Sequence, residues 1–286
     1  MSPISQIYQS ESPVFSFEFF PPKTASGQAN LAEKLPEFLA LNPGYISITY
    51  GAGGGTRDLT KSLLLSLGDQ VNRVAHLTCV NHTRQDIYHI LDDYKQHGIS
   101  AIMALRGDFP KNEGPTLTQE IPHAVDLVTL IRERYPHMAI GVAGFPEGHP
   151  ECPNRLLEMD YLKAKVDAGA TYICTQLFFD NRDFFDFRDR CHLAGITCPI
   201  IPGVMNISSK KGLHRMAELA AGARYPSALL AQIQGAHSDT DIEAIGLDWT
   251  CNQVAELLKE GVPGIHFYTL NNVSHVQHIF KHLSLG

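Results

Sequence analysis

Eight short runs rich in β-branched and aromatic residues alternate with amphipathic stretches along the whole sequence. The stretches carry apolar residues at spacings of three and four, which is the period of an α-helix. Eight strands alternating with helices over 286 residues predict a single-domain (β/α)8 TIM barrel, an α/β fold spanning residues 1–286. The runs lie at residues 14–20, 45–49, 74–78, 101–105, 139–143, 172–177, 199–204 and 264–270.

A doubly wound open sheet is the alternative architecture. It would need a phosphate-binding turn after the first strand, where this chain has Pro21-Pro22, and proline has no N–H to donate. The glycine-rich segment 51–55 follows the second run, but no Gly-Lys-Ser/Thr follows it, so it is neither a dinucleotide fingerprint nor a P-loop. The pattern therefore favours the barrel.

Composition excludes several classes of protein. The chain is 44% hydrophobic and 19% charged, as in folded globular proteins, and its net charge of −7 disfavours nucleic acid as a partner. No apolar run approaches the roughly 20 residues that span a bilayer. Residues 1–12 are polar and lack a signal-peptide core, so we expect a flexible N-terminal arm, no membrane partner and a cytoplasmic protein. The six cysteines form no Cys-x-x-Cys pair, so we expect free thiols and no metal site.

Polar and ionisable residues collect where the predicted strands end. Since barrel enzymes place their active sites at the carboxyl ends of the strands, this rim is the predicted site. Glu18 is the sharpest signal: its phenylalanine neighbours should desolvate the carboxyl and raise its pKa toward the range of a general acid, although a salt-bridged glutamate facing the lumen fits equally well. Asp108 could face a ligand or pair with Arg106, and Gln176 suits the edge of a planar heterocycle. The other rim groups are Thr49, Tyr50, His76, Thr78, His149, Thr175, His266, Tyr268 and Asn271.

Nine short motifs occur in order along nearly the whole chain. They are 16–22 (SFEFFPP), 49–52 (TYGA), 76–79 (HLTC), 105–108 (LRGD), 148–151 (GHPE), 165–170 (KVDAGA), 175–179 (TQLFF), 201–203 (IPG) and 266–271 (HFYTLN). Together they resemble the methylenetetrahydrofolate reductase family in its bacterial-size catalytic form. The resemblance implies non-covalent FAD, NADH or NADPH as electron donor, and reduction of 5,10-methylenetetrahydrofolate to 5-methyltetrahydrofolate by ping-pong hydride transfer, which supplies methyl groups for methionine synthesis. We also expect a homo-oligomer and no appended regulatory domain.

The resemblance also implies roles for individual residues. Glu18 and Asp108 match the catalytic carboxylates, one protonating the leaving amine and the other stabilising the resulting cation. The positions implied for cofactor contacts are Thr49, Tyr50, Ala52, His76, Arg106, Gly107, Asp108, Ala124, Phe145, His149, Cys152 and Lys165. The positions implied for substrate contacts are Asp108, Gln176, Met216 and Asn272.

Three of these positions depart from the family pattern. Phe145 replaces a usual tyrosine, and Met216 falls near the position of a large apolar group that covers the bound ring. Asn272 stands where an arginine that contacts folate is expected, and Lys211 or a neighbouring cation could substitute for it.

Two other functions fit the rim residues without the resemblance. A metal-dependent barrel hydrolase or lyase would use His76, Asp108 and His266 and would be colourless. A non-catalytic pterin- or corrinoid-binding barrel would bind folate without oxidising a nicotinamide.

Overall fold

The computed structural model describes residues 3–10, 12–50, 57–108, 120–220 and 222–285. Eight parallel strands close into a barrel in chain order, with β8 pairing back to β1, which confirms the predicted (β/α)8 fold. The strands are β1 Val14–Phe19, β2 Tyr45–Ile48, β3 Asn72–Thr78, β4 Ala101–Leu105, β5 Ala139–Gly144, β6 Tyr172–Leu177, β7 Ile200–Val204 and β8 Gly264–Tyr268.

Helices follow the strands around the outside of the barrel, and none of those described is long and apolar enough to cross a membrane. They are α1 Pro3–Ile7, α2 Ala25–Leu39, α3 Arg57–Ser66, α4 Arg84–Gln96, α5 Ala124–Arg134, α6 Arg155–Asp167, α7 Asn181–Leu193, α8 Lys210–Leu219, α9 Ser227–Gln234, α10 Asp239–Lys259 and α11 Val273–Leu283.

Successive side chains of strand β1 point alternately toward the surrounding helices and toward the lumen of the barrel. Phe17 faces outward and its ring packs 5.6 Å from that of Phe38 on α2 and 6.0 Å from that of Phe280 on α11. Ser16 and Glu18, which alternate with it, face the lumen. A strand made only of apolar residues would also be buried, but it would place no hydroxyl or carboxyl group in the lumen.

The amino-terminal half of the lumen is filled by side chains. Tyr45, Val74, Tyr172 and their neighbours form an apolar cluster there. Gly141 makes room for the Tyr172 ring, since a Cβ at this glycine would lie 2.4 Å from Tyr172 Cζ. Apolar side chains therefore occupy the amino-terminal half of the lumen, and the polar groups of the predicted site lie near the carboxyl ends of the strands.

The N-terminal segment differs from the flexible arm expected over residues 1–12. Pro3–Ile7 form α1, and Ile4 is only 1% exposed where it packs on the lower lumen cluster. The Tyr8 hydroxyl donates to Tyr45 Oη at 3.1 Å. The apolar side chains at 4, 7 and 8 let this mostly polar segment cover the amino end of the barrel.

Candidate active site

One carboxylate oxygen of Glu18 lies between two histidines at the carboxyl end of β1. His76 Nε2 on β3 is 3.2 Å from Glu18 Oε2, and His266 Nε2 on β8 is 3.5 Å from the same atom. The Glu18 side chain is 17% exposed and that of His266 is fully buried. The parallel register places Ser16 opposite His266, so the inward residues of β1 and β8 meet in the lumen.

The ionisation state of Glu18 differs from the sequence prediction. Burial by itself raises the pKa of this carboxyl, but the charges and hydrogen bonds of His76 and His266 outweigh burial and lower the pKa to about 2. The expectation of a raised pKa is therefore wrong for this structure. The other interpretation, a glutamate paired with basic groups in the lumen, describes the observed geometry.

His266 links Glu18 to a serine deeper in the barrel. Ser16 Oγ is 2.8 Å from His266 Nδ1, and the Tyr45 ring stacks on the imidazole at 5.8 Å between centroids and 18° between planes. With Glu18 ionised, the consistent assignment puts a hydrogen on Nε2 and leaves Nδ1 to accept from the serine hydroxyl. Ser16, His266 and Glu18 thus form a buried chain that can hold and move a proton.

The β6 part of the rim is fixed by backbone contacts. The Tyr268 hydroxyl donates to the Thr175 carbonyl at 2.7 Å, and Thr175 Oγ1 accepts from the Gly203 N–H at 2.9 Å. Gln176 comes next along β6 and is half-buried; its Oε1 accepts from the Leu177 N–H at 2.9 Å. Thr175 therefore anchors three strands beside the predicted substrate contact.

The β4 part of the rim is exposed and carries ion pairs. Arg106 Nη1 contacts Glu151 Oε2 at 2.5 Å, and this hydrogen bond raises the pKa of Arg106. Asp108 lies 4.0 Å from Arg106 Nη2, and its side chain is 92% exposed. The surface ion pair is thus what the structure shows for these two residues, with Asp108 at the edge of the rim next to residues 109–119, which lie outside the described chain.

Lys165 on α6 points back to the end of β5. Its Nζ donates to the Ala143 carbonyl at 2.8 Å, and burial lowers its pKa to about 8. Glu158, two helical turns earlier, accepts from the His149 N–H at 2.8 Å, and burial raises the pKa of this carboxyl. Sequence reasoning missed Glu158, although its spacing of seven residues from Lys165 places both on one face of α6.

The chain shows close similarity to one family of proteins. The family model for methylenetetrahydrofolate reductase matches residues 3–284. The chain is 39% identical over 260 residues to the 5,10-methylenetetrahydrofolate reductase of Salmonella typhimurium, a match that covers 90% of this chain and 86% of that one. It belongs to the methylenetetrahydrofolate reductase family.

The chain is also similar to a longer plant protein and to a solved bacterial structure. It is 37% identical over 283 residues to methylenetetrahydrofolate reductase (NADH) 1 of Arabidopsis thaliana, but it spans only 48% of that protein's length. A solved structure, described as an uncharacterised protein from Clostridium thermocellum that binds two copies of 5-methyl-5,6,7,8-tetrahydrofolic acid, aligns with a TM-score of 0.68 over 99% of this chain and 97% of its own. At 16% sequence identity, that likeness shows the shared fold.

The other described residues that the family resemblance singles out lie in loops after the strands or at the start of a helix. Phe145 and His149 pack edge to face with ring centroids 4.6 Å apart, and Tyr50 Oη lies 3.2 Å from His82 Nε2. Thr49 contributes its carbonyl to Thr60 Oγ1 at 2.9 Å. Cys152 and Ala124 are both half-buried, Cys152 in the loop before α6 and Ala124 at the start of α5, while Ala52 lies outside the described residues.

Two of the predicted substrate contacts, Met216 and Asn272, make contacts within the chain in this structure. Met216 is 2% exposed and packs in an apolar cluster with Leu177 and Phe179, so it presents almost no surface to a ligand. Asn272 caps α11, because its Oδ1 accepts from the Ser274 N–H at 3.1 Å. The family resemblance implies that both residues lie near the rim, but it does not show which way their side chains turn.

At the rim between β3 and β4, Gly107 packs closely against Thr78. Gly107 has φ +82°, and a Cβ there would lie 2.9 Å from Thr78 Cβ. Thr78 Oγ1 is buried and has no hydrogen-bond partner among the described residues. The unpaired Thr78 hydroxyl, together with Arg106 after β4 and Lys165 at the end of β5, fits a ligand that carries hydrogen-bonding and anionic groups.

Proposed function

We propose that this chain reduces 5,10-methylenetetrahydrofolate to 5-methyltetrahydrofolate, with NADH or NADPH as electron donor and non-covalent FAD as hydride carrier. Membership of the family supports the reaction. The single observation that carries it to this chain is the histidine-held Glu18 at the carboxyl rim of the barrel. Ping-pong turnover, a role in methyl supply for methionine, a cytoplasmic location and homo-oligomerisation belong to the same proposal.

Residues at the ends of β3, β4 and β5 and on α6 would hold the FAD. Gly107 and Thr78 would border the ring, and Arg106, His149 and Lys165 would face its polar and anionic parts. When bound, the flavin supplies reversible two-electron hydride transfer, which no side chain can provide. An anion beside Lys165 would offset the burial that lowers the pKa of this lysine, so cofactor binding and lysine protonation support each other.

Glu18 delivers a proton to the substrate. Its Oε2 faces the two histidines, whereas the described parts of the chain place no donor on Oε1, which leaves that oxygen for the substrate. Protonation of the leaving amine breaks one carbon–nitrogen bond of the methylene bridge and produces an iminium carbon, which then accepts hydride and becomes the methyl group.

The low pKa of Glu18 means that this proton has to reach the carboxylate from a neighbouring group. A carboxyl with a pKa of about 2 holds almost no proton of its own at neutral pH, so Glu18 needs a neighbouring group to relay one, and the imidazoles of His76 and His266 are the groups that contact its Oε2. Ser16 orients the His266 imidazole for this transfer through the 2.8 Å contact to Nδ1. His266 is therefore a positioning and supplying residue, and Glu18 is the group that touches the substrate.

Asp108 contributes a negative charge at the edge of the same rim. It stabilises the iminium cation, because an ionised carboxylate lowers the energy of a nearby positive charge. The hydrolase alternative draws no support from the geometry: within the described chain, His76, His266 and Asp108 form no cluster of three metal-ligand atoms.

Anaerobic titration of the FAD-loaded protein tests this function. NADH should bleach the flavin absorption, and 5,10-methylenetetrahydrofolate should restore it with formation of one 5-methyltetrahydrofolate per flavin. A protein that stays colourless after incubation with FAD would contradict the proposal. Folate binding without nicotinamide oxidation would favour the non-catalytic folate-binding barrel instead.

A further inference from the structure

Three metal-ligand side chains meet on the outside of the barrel, between α10 and α11. Cys251 lies on α10, and His278 and His282 lie on α11. One ligand atom from each residue lies within 4.8 Å of those of the other two. Cys251 is buried between the helices and both histidines are exposed, so the cluster opens to solvent on one side.

The packing of the two helices fixes this juxtaposition. His275, near the start of α11, contacts Glu243, near the start of α10, with 2.6 Å between His275 Nε2 and Glu243 Oε1. Cys251 follows Glu243 by eight residues and His282 follows His275 by seven, which correspond to about 12 Å and about 10 Å of helix. Both helices run side by side in the same direction along the barrel. Cys251 and His282 follow the His275–Glu243 contact by similar lengths of helix, so they also lie close together.

The two histidines are already arranged as a pair. A spacing of four residues places them one turn apart on the same helix face. Their rings stack with centroids 6.1 Å apart and planes at 15°. One nitrogen of each imidazole lies within 4.8 Å of the other and of the Cys251 sulfur, so the thiol supplies the third corner.

We infer that Cys251, His278 and His282 bind one Zn²⁺ ion, or a divalent cation of similar softness, between α10 and α11. One thiolate and two imidazoles are typical zinc ligands, whereas Mg²⁺ and Ca²⁺ require oxygen ligands. Ligand atoms around a tetrahedral zinc lie roughly 3.3–3.8 Å apart for bonds of about 2.0–2.3 Å, so the cluster needs to contract by only about 1 Å. The exposed side leaves the fourth position to water.

Binding couples to one proton and to the packing of α11. The Cys251 thiol loses its proton to solvent when the cation binds, so the affinity should rise with pH. Barrel helices run antiparallel to the strands, so the second half of α11 lies toward the amino ends of the strands, away from the rim. The cation therefore ties α11 to α10 and takes no part in the proposed reduction.

Cobalt titration of the full chain, stripped with chelator and kept reduced, tests the site. Difference spectra against the same protein without cobalt should show a thiolate-to-cobalt charge-transfer band and strong tetrahedral d–d bands that saturate at one Co²⁺ per chain. Zn²⁺ should abolish both sets of bands. Cys251→Ser should lose the charge-transfer band, and His278→Gln should weaken binding by more than about 100-fold, because even indirect partners of metal ligands contribute 10- to 100-fold.

Matched variants separate the site from other thiols and imidazoles. Cys198→Ser and the exposed His137→Gln should leave the cobalt spectrum unchanged. Zn²⁺ should raise the Tm of the parent chain but not that of His278→Gln, whose exposed position avoids damage to the core. A parent chain without the charge-transfer band, or a His278→Gln variant that binds cobalt as tightly as the parent, would overturn the inference. Reductase activity should be unchanged in His278→Gln, which keeps this test independent of the proposed function.

Discussion

The two arcs of the rim are built differently. On the β1–β8 arc, Glu18 and His266 take their partners from within the lumen and are mostly or fully buried. On the β4–β6 arc, Arg106 is paired with a surface glutamate and Lys165 with a backbone carbonyl. The barrel itself therefore completes the proton-handling arc, whereas the other arc holds its cations in contacts that an anionic ligand can replace.

Because of this difference, mutations in the two arcs should have different energetic consequences. Removing a member of the buried arc leaves a charge or a polar group without its partner in a place that water hardly reaches. Removing a cation of the β4–β6 arc mainly weakens the binding of a ligand. The β1–β8 arc should therefore control the rate of the folate step, and the β4–β6 arc should control cofactor affinity and potential.

The largest effect should follow from Glu18→Gln. Glutamine keeps the shape of the side chain but cannot pass a proton, so turnover with methylenetetrahydrofolate should fall by about 10²-fold or more. Steady-state kcat, measured with saturating FAD, checks this. A fall of less than fivefold would mean that another group supplies the proton.

Lys165→Met should weaken FAD binding by roughly 10- to 100-fold, the range for a hydrogen bond to a charged group. Lys163→Met on the same helix is the matched control, because Lys163 pairs with Asp167 at the surface and should not matter. Flavin fluorescence titration gives both affinities. Equal losses in the two variants would contradict a specific role for Lys165.

The same lysine should shape stability against pH in the cofactor-free protein. Its pKa falls from 10.5 to about 8 on folding, so the unfolded chain binds more protons between about pH 8 and 10.5. The free energy of unfolding should therefore rise with pH across this window, and less so in Lys165→Met. Urea unfolding at three pH values measures the slope, and identical slopes would show that Lys165 is hydrated in the folded state.

His266→Gln should slow the folate step by about tenfold, because the glutamine amide can donate a hydrogen bond to Glu18 but cannot relay a proton to it. The pKa of Glu18 should rise in this variant, and the pH profile of the folate step should shift with it. Ser16→Ala, which removes only the contact to Nδ1, should have a smaller effect. A simple structural role for His266 predicts lower stability with an unchanged pH profile.

Asp108→Asn should raise the reduction potential of the bound flavin and slow the folate step. A fixed negative charge near the ring disfavours the reduced anion and favours the iminium cation, so removal acts on both. Dye equilibration measures the potential. An unchanged potential would mean that Asp108 stays at the exposed edge, or that Arg106 neutralises it.

The smallest effect concerns the helix cap at Asn272. Asn272→Arg should lower the free energy of unfolding by about 1 kcal/mol through loss of the cap on α11, while Asn272→Asp should retain it. The KM for folate should change little if Lys211 or a neighbouring cation already supplies the charge. A several-fold fall in KM for the arginine variant would show that no such substitute exists.

The sequence reveals local patterns, but it does not reveal contacts between residues that are far apart in the chain. Strand and helix periodicity predicted the barrel, because each element has to bury one face, and strand ends pointed to Glu18 and Arg106, whereas Lys165 on α6 was implied only by the family resemblance. The charge state of Glu18 could not be read in the same way, since it depends on His266, 248 residues away in the chain. The directions of the Met216 and Asn272 side chains likewise depend on tertiary packing.

Rapid mixing of Glu18→Gln in the two separate half-reactions tests the contrast between the arcs most directly. The account predicts that NADH reduces the FAD-loaded variant at nearly the parental rate, since flavin reduction needs no proton from Glu18. It also predicts that the reduced variant transfers hydride to methylenetetrahydrofolate at least about 10²-fold more slowly than the parent. Equal damage to both half-reactions would show that Glu18 is structural and would contradict the account.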